Sequence, residues 1–503
     1  MLKKLIINSS SNILTMVVKV VCSFIMTPVI VKALGNYDYG LWEIVFALVG
    51  YMGLLDIGMR PAVVRYVAKY EAVGDKKSIN ELFSTAITFS LLIGIFGCLI
   101  LVVWGVINPN ILSENNKESV KYLYFLVIIG CQLFVQFPGL IAECVHAGYQ
   151  RYNLYNNITI INTLIGNSIV YVLLKNGHGL VTLALGNAIG VTVKYLIYLI
   201  LLLTDKYGGI RWKARYISIP MLKKLLNFGG KSFVTALSTT AISNSSSLII
   251  GIYCNPAMIP FYSIPKRLIS YLNDMSNTIT NVFMPTFSQL YALRDVNAMR
   301  RMYLASTKYI IGVTYPLIIG ISILGNPFLK IWMGQVYAEK SQKVLILLAI
   351  GNIFYLMNPL LSQLLTGINK IRFLIITRGV TAVMVIVLSL IFVRNFSYEG
   401  VASAFLITSV SVKPVEIWYT SKVLKVTIIE YTKTIYLPML LPNFVLFLYL
   451  KTIVNSYKIT CYADIAYIVS CGICVYALLF IFFSFNKDEK NYLRYKLDKA
   501  MAR

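Results

Sequence analysis

The sequence reads as an all-α integral membrane protein with about fourteen transmembrane helices, and three observations lead there. Hydrophobic residues fill 58% of the 503 positions and charged residues only 13%, with a mean hydropathy of +0.72. That balance excludes a water-soluble fold. Apolar stretches of roughly 20 residues, each enough to cross a hydrocarbon core of about 30 Å, recur along the chain. Finally, the chain repeats itself at an offset of 220 residues.

The apolar stretches lie near 9–33, 41–60, 82–107, 120–145, 157–175, 180–204, 229–254, 261–287, 305–325, 341–366, 372–393, 398–421, 432–454 and 462–485. In the first, Thr15, Lys19, Ser23 and Thr27 recur every fourth residue and so form one polar stripe on an apolar helix. Asn12 shares that face. The residues 220 further on, Thr235, Thr239, Ser243 and Ser247, are again all polar. Downstream, Trp42 answers Tyr262, Ala72 answers Ala292 and Asp75 answers Asp295, while Gly148, Gln150 and Arg151 match Gly367, Asn369 and Lys370 after a one-residue slip. A repeat unit of six helices preserves orientation. The expected organisation is a six-helix N-lobe (1–204), a basic linker (205–228), a six-helix C-lobe (229–425), two extra helices (426–486) and a basic tail (487–503). The residues Tyr207-Gly208-Gly209 and Ile219-Pro220 mark turns in the linker, and a short amphipathic helix is expected within 65–81. Repeats around a polar seam are the usual frame of an alternating-access transporter, with a V-shaped cavity here lined by the first, second, seventh and eighth helices.

Basic residues set the expected orientation. One set of loops carries Lys3 and Lys4, then Arg60, Arg65, Lys69, Lys76 and Lys77, then Arg211, Lys213, Arg215, Lys223 and Lys224, then Arg294, Arg300 and Arg301. With the tail residues Lys487 to Arg503, that side is cytoplasmic and both termini lie on it. The formal charge of +26 follows from this bias and implies attraction to anionic phospholipids rather than to nucleic acid. The first apolar run is too long for a cleaved signal and reads as a spanning helix. The eight cysteines show no CxxC spacing and read as reduced packing residues. His146 and His178 read as interfacial polar residues, and no metal or cofactor is expected.

Several motifs then follow in a fixed order. They are Asn8-Ser9-Ser10-Ser11 through Thr27-Pro28, Leu34-Gly35-Asn36-Tyr37-Asp38-Tyr39-Gly40-Leu41-Trp42, Leu54-Leu55-Asp56-Ile57-Gly58-Met59, Arg65-Tyr66 and Gly74-Asp75. Together with the repeat, this order resembles the bacterial O-antigen (Wzx-type) flippases of the MATE/oligosaccharidyl-lipid/polysaccharide (MOP) superfamily. The resemblance implies a two-lobed, fourteen-helix transporter of the cytoplasmic (inner) membrane. Its implied cargo is an undecaprenyl-diphosphate-linked oligosaccharide, exported for cell-surface polysaccharide such as lipopolysaccharide or capsule.

The residue chemistry agrees with such a cargo. A lipid diphosphate sugar needs cations, hydrogen-bond donors and a lateral opening along its path. Lys19 sits about 16 Å into the first helix at 1.5 Å per residue, near mid-membrane. A lysine there is tolerated only against a cavity or a partner, so it is either a lumenal substrate or gating group or half of an ion pair. The eighth helix carries a second polar face with Arg267, Ser270, Asp274, Asn277 or Thr278, and Asn281. Arg267 can fork onto phosphate oxygens; the alternative is that Lys266 and Arg267 snorkel to the interface. Lys231, Lys194, Arg378 and Lys413 are further basic candidates, with Lys231 and Arg378 close to helix ends and Lys413 placed to pair with Glu416 at i+3. Among the acids within spans, Asp274 and Glu143 are the candidates for coupling to H⁺ or Na⁺, whereas Asp56 and Glu43 suit capping or a salt bridge to Arg60. Polysaccharide assembly proteins are left open as partners. Two rival functions remain: a multidrug-type cation antiporter of the same superfamily, whose cavity should be acidic or apolar, and a membrane glycosyltransferase or O-antigen ligase. Against an enzyme, the external loops are short and no DxD occurs.

Overall fold

A computed structural model describes residues 2–107, 116–177, 179–204 and 210–485. The tail 487–503, Tyr207 to Gly209 and His178 lie outside them, as do the side chains of Asn12 and Lys231. The described residues fold as sixteen α-helices: α1 (Leu2–Met52), α2 (Met59–Ala72), α3 (Lys76–Ile107), α4 (Asn116–Gly148), α5 (Tyr152–Lys175), α6 (Leu180–Leu203), α7 (Ile219–Tyr253), α8 (Ile259–Thr280), α9 (Met284–Ala292), α10 (Val296–Met333), α11 (Gln335–Tyr355), α12 (Leu361–Gly367), α13 (Ile371–Leu424), α14 (Ile428–Ile435), α15 (Leu437–Ser456) and α16 (Tyr462–Ser484). No strand occurs among them. Ten are long and apolar enough to cross a membrane. Two of these, α1 and α13, are each broken internally, at Gly35 (φ 76) and Ser397 (φ 52), and so supply two passes. With the more polar α8 and the α11–α12 pair, every one of the fourteen expected segments coincides with helix.

The repeat is visible in the backbone. Residues with positive φ recur at the offset: Gly74 and Arg294, Gly177 and Ser397, and, with the slip, Gln150 and Asn369. Asp75 Oδ1 accepts from Ser78 N at 3.0 Å to cap α3, and Asp295 Oδ1 accepts from Ala298 N at 2.8 Å to cap α10. These caps satisfy amides that a helix start leaves open.

The chain divides into two compact units, Met1–Ile259 and Pro260–Arg503. In the first, α2, α3, α4, α6 and the start of α7 share a core of Met59, Val63, Leu82, Phe83, Ile141, Tyr198 and Leu225. The stretch between α6 and α7 is not a free linker. Ile210 is buried, and 210–218 lies along the start of α3. There Asn80, Ser84 and Thr85 side chains accept from the backbone amides of Arg211, Lys213 and Ser218. Helix α7 begins at Ile219, well before the expected 229, because Ser218 Oγ caps Met221 N and Pro220 fits the first turn. The short helix expected within 65–81 is present as α2, which starts earlier and turns at Gly74 into α3.

In the second unit, α9, α10, α12, α13 and α14 share a core of Phe287, Tyr303, Ile311, Leu364, Leu424 and Tyr431. The last two helices pack on α10 through Leu324, Leu446, Ile468 and Tyr476. The tenth expected span is interrupted between Tyr355 and Leu361. Buried Asn358 fills that break: its Oδ1 accepts from the Tyr303 and Tyr431 hydroxyls, and its Nδ2 donates to Thr420 Oγ1 at 2.8 Å. Tyr436 donates to the freed Met357 carbonyl at 2.9 Å. Irregular backbone at membrane depth persists only with such partners.

Candidate functional site

In the first unit the second span does not end as a regular helix. It tightens into a 3₁₀ turn over Gly53–Asp56, and Ile57 (φ 47) and Gly58 (φ 71) are left-handed before α2 begins. Asp56 holds the turn. Its Oδ1 accepts from Gly58 N at 2.9 Å, and its Oδ2 accepts from Arg60 Nε at 2.5 Å. The turn is pressed against α7. A Cβ on Gly58 would stand 2.6 Å from the Gly229 carbonyl oxygen, and one on Gly229 would stand 2.4 Å from that of Ile57. At the other end of the second span, a Cβ on Gly40 would overlap the Pro256 carbonyl. Glycine is needed where two backbones approach this closely.

Between these contacts lies a cavity of about 410 Å³ lined by Gly50, Gly53, Asp56, Arg60, Cys144 and Thr240, with Phe233 and Ala236 from α7. Arg60 is half-exposed. Its Nε is committed to Asp56, which leaves the rest of its fork for a guest.

Beside this cavity lie the predicted mid-membrane charges. Glu143 on α4 and Lys194 on α6 form an ion pair at 3.4 Å, each side chain about one-fifth exposed (20% and 18%). The Lys194 ammonium stands 4.2 Å from the centroid of the Tyr195 ring. Tyr155 on α5 lies close to Glu143, and the Tyr198 hydroxyl donates to the Tyr155 carbonyl at 3.1 Å. Lys19, exposed on α1, lies within Coulombic reach of both Lys194 and Glu143. Arg60 feels Cys144 and Tyr195, and Tyr195 in turn feels Glu143. This part of the unit thus holds three basic groups, Lys19, Lys194 and Arg60, and two carboxylates, Glu143 paired with Lys194 and Asp56 paired with Arg60. It keeps a net positive charge suited to an anion.

Other predicted residues are placed differently. On α1 the Thr15 hydroxyl donates to Ser11 O at 2.9 Å, and Ser23 O accepts from Thr27 at 2.6 Å. On α7 Thr239 donates to Thr235 O at 2.8 Å, and Ser243 is exposed. Much of each stripe therefore bonds back to its own helix. In the second unit, α8 carries Lys266, 5.6 Å from the Tyr262 ring, half-buried Arg267, whose carbonyl accepts from Ser270 at 2.7 Å, and exposed Asp274 and Asn277. Arg378 is half-buried on α13. Lys413 pairs with Glu416 on its own helix at 2.7 Å, the alternative its spacing allowed. His146, in the last turn of α4, faces protein. It is fully buried, with Nε2 donating to the Tyr198 carbonyl at 3.0 Å where α4 packs on α6.

Sequence reasoning missed Arg60 as a cavity group. It read as a loop cation, and Asp56 as its cap; only the left-handed turn brings both to the cavity wall. The signal was Asp56-Ile57-Gly58, an acid two residues before a glycine at the end of an apolar run.

The model of a family described as polysaccharide biosynthesis protein matches residues 29–342, more than half of the chain. The chain belongs to that family. Among curated relatives, the "Putative O-antigen transporter" of Shigella flexneri is 23% identical over 330 residues, 64% of this chain and 75% of that one. A lipid II flippase MurJ of Bacillus subtilis is 19% identical over 405 residues, 73% of this chain and 72% of that one. Among solved structures, a lipid II flippase MurJ in an inward closed conformation matches over 95% of this chain and 98% of its own, with TM-score 0.71 at 15% identity. An inward-facing multidrug resistance MATE family transporter of the MOP superfamily matches over 81% and 94%, with TM-score 0.65 at 16% identity. This family member is thus a multi-pass membrane protein with the MOP fold.

Proposed function

We propose that the protein is a flippase that carries an undecaprenyl-diphosphate-linked oligosaccharide across the bacterial cytoplasmic membrane by alternating access, with both termini in the cytoplasm. Arg60 on the cavity wall, with Lys194 and Lys19 grouped around Glu143 nearby, carries this reading. A diphosphate needs cations in a site of reduced dielectric, where each is worth more than in water, and Arg60 adds a planar fork. The family match and the flippase and O-antigen transporter names of the relatives support the same cargo class. A cationic drug would meet net repulsion at this cluster. Transport needs no bond-making, so no catalytic group is assigned.

The test is complementation of a glycan-export deletion strain, in which labelled lipid-linked sugar accumulates in the inner leaflet. Lys19→Glu should abolish rescue, while Lys490→Glu in the tail should leave it intact at matched expression. Equal rescue by the two would overturn the reading. If transport is ion-coupled, Asp274, seven residues from Arg267 on α8, is the proposed site, with Glu143 as the alternative already engaged by Lys194. Reconstituted Asp274→Asn protein should bind substrate yet ignore an imposed pH gradient; normal gradient-dependent flipping would eliminate that role.

A further inference from the structure

The segment joining α6 to α7 carries chemistry that the transport reading does not use. Side chains of α3 clamp it by its backbone: Asn80 Oδ1 accepts from Arg211 N at 2.8 Å, Ser84 Oγ from Lys213 N at 3.2 Å and Thr85 Oγ1 from Ser218 N at 3.0 Å. Trp212 reaches furthest along α3, its Nε1 donating to Thr88 Oγ1 at 3.1 Å. Thr88 is twelve residues into a 32-residue helix, about 18 Å from its start at 1.5 Å per residue. A helix of that length exceeds the hydrocarbon core of about 30 Å. With Ile107 at the far edge of the core, about 30 Å of helix ends near Thr88, which puts Trp212 at the near edge.

With the backbone clamped to α3, most side chains of this stretch stay exposed. Trp212 is 50% exposed, Ile217 44% and Ile219 69%, and they alternate with basic residues. Arg211, Lys213 and Arg215 are ion-paired to no acid among the described residues. Lys213 and Arg215 lie over the Tyr216 ring, at 5.9 Å and 5.2 Å. Lys224 nearby hydrogen-bonds Tyr70 at 2.6 Å, and that bond raises its proton affinity and keeps it charged. Apolar side chains interleaved with unpaired cations at interfacial depth match a surface of anionic lipid, which offers phosphates above and acyl chain below.

We propose that residues 210–219 form a docking surface for anionic phospholipid headgroups, with Arg211, Lys213 and Arg215 on the phosphates and Trp212, Ile217 and Ile219 in the lipid beneath them. Bound lipid holds the connecting segment onto α3. The inference does not depend on what the protein transports.

The ladder uses backbone amides, so Arg211→Gln/Lys213→Gln/Arg215→Gln removes the charges and leaves the clamp. The full-length protein is reconstituted in vesicles doped with brominated phosphatidylglycerol or brominated phosphatidylcholine. The Trp212 share of fluorescence quenching is obtained by difference from Trp212→Phe protein. Half-maximal quenching of that share should need at least about fivefold less phosphatidylglycerol than phosphatidylcholine, the increment that even one of the three cations supplies near an anionic surface. In the triple variant the ratio should fall to about one, and single Arg211→Gln protein should give an intermediate value if the triple variant does not fold. Equal quenching by the two lipids in the unaltered protein overturns the proposal, as does a preference that survives removal of the charges. Because binding is read without transport, either result leaves the flippase reading to its own test.

Discussion

The two units repeat the same turns but break different spans. In the first, the second span ends in the Asp56–Gly58 turn while α4 runs unbroken through Pro138; in the second, α8 continues to Thr280 while the tenth span breaks at Asn358. The lysines at the 219-residue register, Lys194 and Lys413, differ as well. Lys194 is neutralised across helices by Glu143, and Lys413 within its helix by Glu416. A cross-helix pair beside a cavity can open when helices separate, whereas an i,i+3 pair moves with its own helix. Duplication preserved the caps that start helices, and the units diverged where polar groups are held at membrane depth.

The largest test of this contrast is the cost of removing each acid. Glu416→Ala strands a lysine whose side chain is only 14% exposed, so it should cost about 3–5 kcal/mol. Glu143→Ala should cost less, because its pair with Lys194 is longer, at 3.4 Å, and both of its side chains are more exposed. Thermal midpoints from fluorescence-detected size exclusion give the order, and an equal or reversed order breaks the comparison.

Gly229→Ala should come next, at about 1–3 kcal/mol, since its methyl would meet the Ile57 carbonyl. Gly230→Ala has open space around it and should be silent in the same assay. Similar midpoints for the two would remove the case for a close backbone contact at the Asp56–Gly58 turn.

The smallest effect belongs to the shared cap. Ser78 donates to Asp75 from its hydroxyl, at 2.6 Å, and from its backbone N–H, and these bonds hold the carboxyl below its usual range. A lowered folded pKa gives stability that is present above the unfolded carboxylate pKa, near 4, and lost as pH falls through the folded value. The gap in thermal midpoint between the unaltered protein and Asp75→Asn should therefore be small at pH 7 and close on acidification. A gap that widens toward low pH would contradict the cap.

Much of this was legible before any coordinates. Hydropathy marks spans because lipid demands about 20 apolar residues in succession, and the 220-residue repeat returned as matched left-handed turns at Gly74 and Arg294. A lysine inside an apolar run stands out in one helix alone, so Lys19 and Lys194 could be named as candidates. Pairings could not. Glu143 and Lys194 lie 51 residues apart, and their contact exists only because α4 packs beside α6.

Arg60 read as a loop cation until the Asp56–Gly58 turn aimed it at a cavity, and 210–218 read as a free linker until four α3 side chains clamped it. Sequence carries what neighbours within one helix determine: period, caps, turn residues and a charge in the wrong solvent. Which helix faces which depends on steric fit between whole surfaces, such as glycine against glycine at Gly58 and Gly229. That fit is a property of two segments far apart in the chain, and only their packing decides it.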